Sequence, residues 1–238
     1  MAISHSKQVV LVPFLSLLIV LSVVSTRKTV INFVEKQNFF NSPNDILVVV
    51  NKRRPLPAGY APSDLVTPNI PLRLADGTDE MKVRQITANA LVTMIKASKL
   101  NGLNLMLASG YRSEITQKAL HASYVTQKGE AAADTDSARA GFSEHQTGLA
   151  IDLGRTDHKC EVEICFADTL EGKWLNDNAY KYGFIIRYPP GKQSVTGYVY
   201  EPWHVRFVGI ESAKNMRASN KTLEEFLGLP AAPKYINQ

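Results

Sequence analysis

The residues "VVLVPFLSLLIVLSVV", positions 9–24, carry no charge and only two serines over 16 consecutive places. A soluble domain cannot leave such a run exposed, so it must be buried, removed or embedded, and the folding of the remaining residues is a separate problem. The run falls just short of the ~20 residues a spanning helix usually takes. Lys7 stands before it and Arg27 and Lys28 after it, which fits the charged flank and apolar centre of a secretory signal. Residues 1–28 are therefore expected to be a signal peptide, cut after Ser25 with Val23 and Ser25 as the small flanking residues, or an uncleaved signal anchor. No cysteine adjoins the run, which excludes a lipoprotein anchor. The plain alternative, a buried core helix, fits poorly with continuous apolarity so close to Met1. The rest of the chain is expected outside the cytoplasm.

The remainder is nearly neutral. Of the 27 basic residues in the chain, three flank the apolar run, leaving 24 basic against 22 acidic in residues 29–238. The basic pI is thus largely a property of the flanks, and the rest of the chain holds no cluster suited to a phosphate backbone. Nucleic acid is excluded as a partner on that ground. With 45% hydrophobic residues, nine Phe, nine Tyr and two Trp, there is ample material for a core. Cys160 and Cys165, in "DHKCEVEIC", suit a small disulfide loop in an oxidising compartment. Free thiols, or a metal held by both with His158, are the weaker readings, since the usual CxxC spacing is missing.

Residues 29–45 read as a stem, and 46–238 as one domain opening on the β-branched run "ILVVV". Residues 51–78, rich in Pro, Asn and Gly, suggest an ordered arm without regular structure. A helix is predicted after Asp79, with Ile86, Ala90, Met94 and Ala97 on one row and Gly102 as its stop. Leu103, Leu105 and Leu107 alternate as in a half-buried strand, and a second helix comes next with Ser113 as N-cap and Glu114 in its first turn. In "GLAIDLG", Leu149, Ile151 and Leu153 take one strand face, Ala150 and Asp152 the other. A helix ending at Gly183, a strand "FIIRY", an extended "YVYEPWHVRFVG" and a short helix capped by Thr222 complete the chain. The order is mixed, without βαβ rhythm: an α+β domain.

Two clusters carry the chemistry. Asp152 sits on the strand face away from the leucines, where a lone buried carboxylate needs a partner or a cation. His145 lies seven residues earlier, across Gly148, where the chain can bend. In "EPWH", Glu201 and His204 are three apart with Pro202 between them, which rules out the helical HExxH arrangement. An extended chain would point the two to opposite faces. A kink at Pro202 and Trp203 would let His204 bind a metal while Glu201 serves as the base that metal-assisted hydrolysis needs. From spacing alone, an exposed glutamate at a strand end is the stronger reading.

"SEHQTGLAID" followed by "EPWH" resembles the pattern S-x-H-x(6)-D … E-x-x-H of zinc D-alanyl-D-alanine carboxypeptidases of the VanY type, a group that also takes in lysostaphin-type endopeptidases and hedgehog-like domains. "SGYRS" with Gln117, "NAYKYGFIIRYPPGK" and "TGYVYEPWHVRFVG" are similar in order and spacing, so the resemblance runs from about Leu65 to Leu227. It implies a small, mainly antiparallel sheet with flanking helices, Zn2+ as cofactor, and His145, Asp152 and His204 as its ligands. It also implies Glu201 as catalytic base and Arg112 as a catalytic guanidinium for an oxyanion or a substrate carboxylate. Tyr111, Ser113, Gln117, Ser143 and Trp203 match substrate-pocket positions, while Tyr188 reads as core or stacking surface. The implied substrate is a peptidoglycan stem peptide losing its terminal D-alanine, in the envelope of a bacterium, anchored or secreted, by a monomeric enzyme. An L,D-carboxypeptidase acting on tetrapeptide, or a non-catalytic wall-binding module that keeps its zinc, are the alternatives; a cross-link endopeptidase is weaker.

Overall fold

Four short strands form the sheet on which the rest is hung. The computed structural model describes residues 42–235; the apolar run and the stem before Ser42 lie outside them. Strands β1 (Leu65–Val66) and β2 (Val83–Arg84) pair with each other, ahead of helix α1 (Gln85–Leu100). Then come β3 (Leu105–Ser109), α2 (Glu114–Lys128), α3 (Glu130–Asp136), β4 (Ala150–Arg155), α4 (Leu170–Asn178) and β5 (Phe184–Ile186). The chain closes with α5 (Gln193–Thr196), β6 (His204–Phe207), α6 (Ile210–Ser219) and α7 (Leu223–Leu227). The main sheet runs β3-β4-β6-β5, every pairing antiparallel. This is the expected α+β class, a small antiparallel sheet with flanking helices.

The sheet has two unlike faces. Leu105, Leu107, Ile151, Leu153, Val205 and Phe207 join the core with the stripe Leu91, Met94 and Ile95 of α1. The other face carries Asp152, His204 and Arg206, and these too are buried. The strands expected to be half-buried are therefore covered on both sides, because the second face is roofed by the site and its supports.

Helix ends follow the local code. Ser113 accepts from the Thr116 amide at the start of α2, and Thr222 and Glu225 form a reciprocal capping box on α7. Gly183 and Gly228 end their turns in the left-handed conformation. Three expectations shift. Of the row Ile86, Ala90, Met94 and Ala97 only Met94 is fully buried, the inward stripe of α1 being turned toward Thr87, Leu91 and Ile95. Val48–Val50 are buried but in no strand, and α6 was not foreseen, since it buries little more than Ala213 and Met216. Cys160 and Cys165 are disulfide-bonded with Cα atoms 5.5 Å apart, which leaves neither thiol free, and His158 pairs with Glu161. Among the described residues no helix is long and apolar enough to cross a membrane.

Candidate active site

Strand register builds the floor of the site. Asp152 of β4 lies opposite His204 of β6 on one side and Ser109 of β3 on the other. The second pairing depends on a bulge: Leu107 faces Leu153, and without the extra residue Ala108 would meet Asp152. Bulges of this kind re-aim side chains beside functional sites.

His145 comes from a 3₁₀ turn, Glu144–Thr147, closed by Gly148 at φ +64°. A side chain there would also press on Leu65 and Arg84 at 3.0 Å, so the bend read from the sequence needs glycine. His145 Nδ1 is 2.7 Å from the carbonyl of Gly110. A carbonyl only accepts, so Nδ1 holds the proton and Nε2 presents its lone pair, 3.3 Å from Asp152 Oδ2. Gly110 can approach because it has no Cβ, which would lie 2.4 Å from the Lys82 carbonyl.

His204 Nδ1 stands 3.0 Å from Asp152 Oδ1 and 3.5 Å from Glu201 Oε2. One ligand atom from each of His145, Asp152 and His204 lies within 4.8 Å of the others, and all three side chains are buried. Asp152 Oδ1 makes no aligned hydrogen bond among the described residues, with His204 Nδ1 facing it at 3.0 Å. Without full hydrogen bonding, desolvation is unfavourable for a buried carboxylate set between two imidazoles. A divalent cation satisfies it, and two imidazoles with one carboxylate are a catalytic zinc set that leaves a position open. Burial lowers His145 despite Asp152. It would raise Asp152, but the two histidines hold that carboxyl far below its ordinary range.

The kink at Pro202 is present. The His204 amide donates to the Glu201 carbonyl at 3.3 Å, folding the chain before β6 and bringing the Glu201 carboxylate to the His204 side. Burial pushes the Glu201 carboxyl up to about 8, against the pull of His204 and Arg112 and with Asp152 reinforcing it. A cation in the triad adds positive charge beside it and draws it back toward ionisation.

Arg112 is aimed by two acceptors, Gln117 Oε1 at 3.0 Å and Ser109 Oγ at 2.9 Å. Gln117 is itself fixed through donation to the Ala138 carbonyl at 2.6 Å. Arg112, Gln117, Ser143, Glu201 and Trp203 line one cleft of about 300 Å³ with the three ligands. Tyr111 and Ser113 do not line it. Tyr111 is buried, and the Ser113 hydroxyl is occupied in capping α2. Tyr188 does line it, with its ring centre 4.9 Å from that of His204.

Behind the site lies a group that sequence reasoning missed. Glu144 Oε1 accepts from Arg187 Nε at 2.8 Å and Arg206 Nη1 at 2.7 Å, and Arg187 also grips both oxygens of Glu224. These side chains are all fully buried. The available signal was an arginine set inside each of the apolar runs "FIIRY" and "HVRFV".

Residues 80–210 match the family model of the D-alanyl-D-alanine carboxypeptidase VanY. The chain belongs to the VanY carboxypeptidase family. Among relatives it is 45% identical over 185 residues to YodJ of Bacillus subtilis (strain 168), covering 78% of this chain and 68% of YodJ. Among solved structures it is similar to the LD-carboxypeptidase LdcB at 44% identity and a TM-score of 0.75, covering 82% of this chain and 89% of that one. A mutant of the vancomycin-resistance D,D-pentapeptidase VanY, in complex with Zn(II), is 34% identical with a TM-score of 0.64, covering 76% of this chain and 98% of that one. The buried His145, Asp152 and His204 of this VanY-family chain are the residues that fit such an ion.

Proposed function

We propose that this chain is a zinc-dependent carboxypeptidase that removes the terminal D-alanine from peptidoglycan stem peptides. The observation that carries the reading is Glu201: a buried carboxylate 3.5 Å from a histidine of the triad, in the same cleft as Arg112. A site that held zinc for structure alone would have no use for either residue at that place.

Zinc held by His145, Asp152 and His204 would polarise the scissile carbonyl and acidify the attacking water. Glu201 takes the proton of that water on its carboxylate and returns it to the departing amine nitrogen, so one group balances the proton count. Arg112, held rigid by Gln117 and Ser109, offers its guanidinium to the developing oxyanion or to the C-terminal carboxylate of the substrate. The small cleft suits the end of a peptide, and burial of Glu201 strengthens its electrostatic interactions there.

The matching family model, that of a D-alanyl-D-alanine carboxypeptidase, favours D,D cleavage of a pentapeptide, although the motifs themselves are shared by L,D enzymes. The greater likeness to LdcB, 44% identical against 34% for VanY, favours an L,D activity on the tetrapeptide as the second reading. Export to a bacterial envelope, by way of residues 1–28 as signal peptide or anchor, is supported by the apolar run and by a disulfide that fits an oxidising compartment. The enzyme is expected to act as a monomer.

The test offers disaccharide pentapeptide and tetrapeptide separately to the zinc-loaded protein and follows the products by mass spectrometry. Loss of one alanine from the pentapeptide alone establishes the D,D activity, and loss from the tetrapeptide the L,D one. No loss from either refutes the enzyme.

A further inference from the structure

The family resemblance accounts for neither the stem nor the loop after β4, residues 155–170 with their cysteines, and the backbone of that loop is unusual. Four non-glycine residues among those described have positive φ, and three of them, His158 at 59°, Cys160 at 55° and Val162 at 54°, stand in this loop. For a β-branched residue such as Val162 the left-handed region is a genuine outlier, costing roughly 1–2 kcal/mol. Glycine or asparagine would relieve it. Nor does Val162 gain by burial, for it is 42% exposed. Strain of this sort is held where the surroundings over-determine the chain, and it collects at functional sites.

The surroundings do over-determine it. Cys160 packs partly against the core and is bonded to Cys165, closing a ring around Val162. Glu161, the preceding residue, is tied to Arg73 at 3.3 Å and to His158 at 2.7 Å. With both flanks pinned, Val162 joins the lining of the cleft that holds His145, Asp152 and His204. The other apolar lining there includes Leu120, Tyr124 and Trp203.

We propose that the disulfide-closed loop, residues 157–165, is a wall of the substrate cleft, and that Val162 is a specificity-determining residue packing against an aliphatic side chain of the stem peptide. The proposal rests on the carboxypeptidase reading. The ring fixes an apolar group at the cleft that an unconstrained loop would fold away, and it decides how well the residues ahead of the scissile bond fit.

The experiment compares the full-length, zinc-loaded protein with its Val162→Gly variant on both stem peptides. Glycine removes the side chain and relieves the backbone, so the melting temperature should hold or rise. KM is expected to increase about five- to ten-fold, the worth of one lost valine contact, with the loss on KM rather than kcat and unequal between the two peptides. Calorimetric affinity of uncleaved peptide for Glu201→Ala, with and without Val162→Gly, should weaken by the same factor. KM and affinity unchanged within about two-fold overturn the proposal, as does absence of peptide binding by Glu201→Ala. If the parent turns over neither peptide, the carboxypeptidase reading fails while the affinities still decide the wall. Cys160→Ser with Cys165→Ser keeps Val162 but opens the ring, and an unchanged KM there refutes the part assigned to the disulfide.

Discussion

Replacing Glu144 with alanine is expected to destabilise the protein by about 3–5 kcal/mol, the usual consequence of stranding a buried charge. Glu144 and Glu224 balance Arg187 and Arg206, two charges against two, where none of the four side chains reaches solvent. Without Glu144, Arg187 keeps its two contacts to Glu224 at 3.0 and 2.6 Å. Arg206 keeps only carbonyl acceptors, those of Val48, Ile46 and Phe207 at 2.7, 3.0 and 3.0 Å, and no carboxylate. One uncompensated positive charge remains in the interior. For a domain of this size the loss corresponds to a fall in Tm of roughly 6–20 °C. Urea denaturation in the presence of chelator is the assay, because bound zinc would add its own stabilisation. The double variant Glu144→Ala with Arg206→Met should recover much of the loss, since it strands no ion. A loss below about 1 kcal/mol, or a double variant no better than the single one, refutes the claim that the network is a charge-balanced unit.

Glu201→Gln should lower turnover of the accepted stem peptide by about 10²–10⁴-fold with zinc content unchanged, measured by peptide release beside metal analysis. Loss of zinc together with activity would instead make Glu201 a ligand. Gln117→Ala removes an anchor of Arg112 and should lower kcat/KM by about ten-fold, and Ser137 and Ala138 also lose their contact with it. A variant with full activity would show that Arg112 needs no such support. Burial would raise the Glu224 carboxyl, but Arg187 and Asn51 bring it below its ordinary value. Between that depressed value and the ordinary one near ~4.3 the unfolded chain binds more protons, so stability should rise with pH there. It should be fully present above the ordinary value and be lost as pH falls through the folded one. Thermal scans from neutral pH downward should show this slope, and Glu224→Gln should flatten it.

Some of the molecule is written locally and was legible. The caps at Ser113 and Thr222 and the turns at Gly148 and Gly183 depend on hydrogen bonds and φ values within a few residues, so the sequence alone determines them. Pro202 presets a φ that suits the turn before β6 but tolerates an extended chain as well, so the kink is favoured by the sequence and fixed by the fold. The motif resemblance named His145, Asp152, Glu201 and His204 before any distance was known, because the chemistry restricts residue types and their spacing.

Other features belong to the tertiary structure. Which stripe of α1 turns inward depends on the sheet it covers, and the helical period permits either of two neighbouring rows. Ser113 illustrates a competition: its hydroxyl can serve the cleft or the helix start, and in the fold the nearby amide holds it. The pairing of Asp152 with both Ser109 and His204 hangs on one extra residue in β3, a shift of register that no pattern in that strand announces. Glu144, Arg187, Arg206 and Glu224 are separated by as many as 62 positions between direct partners, and in the sequence only the two arginines, set inside apolar runs, hint at burial. Their worth comes from being dry together, and which charges share that dryness is decided by packing in three dimensions.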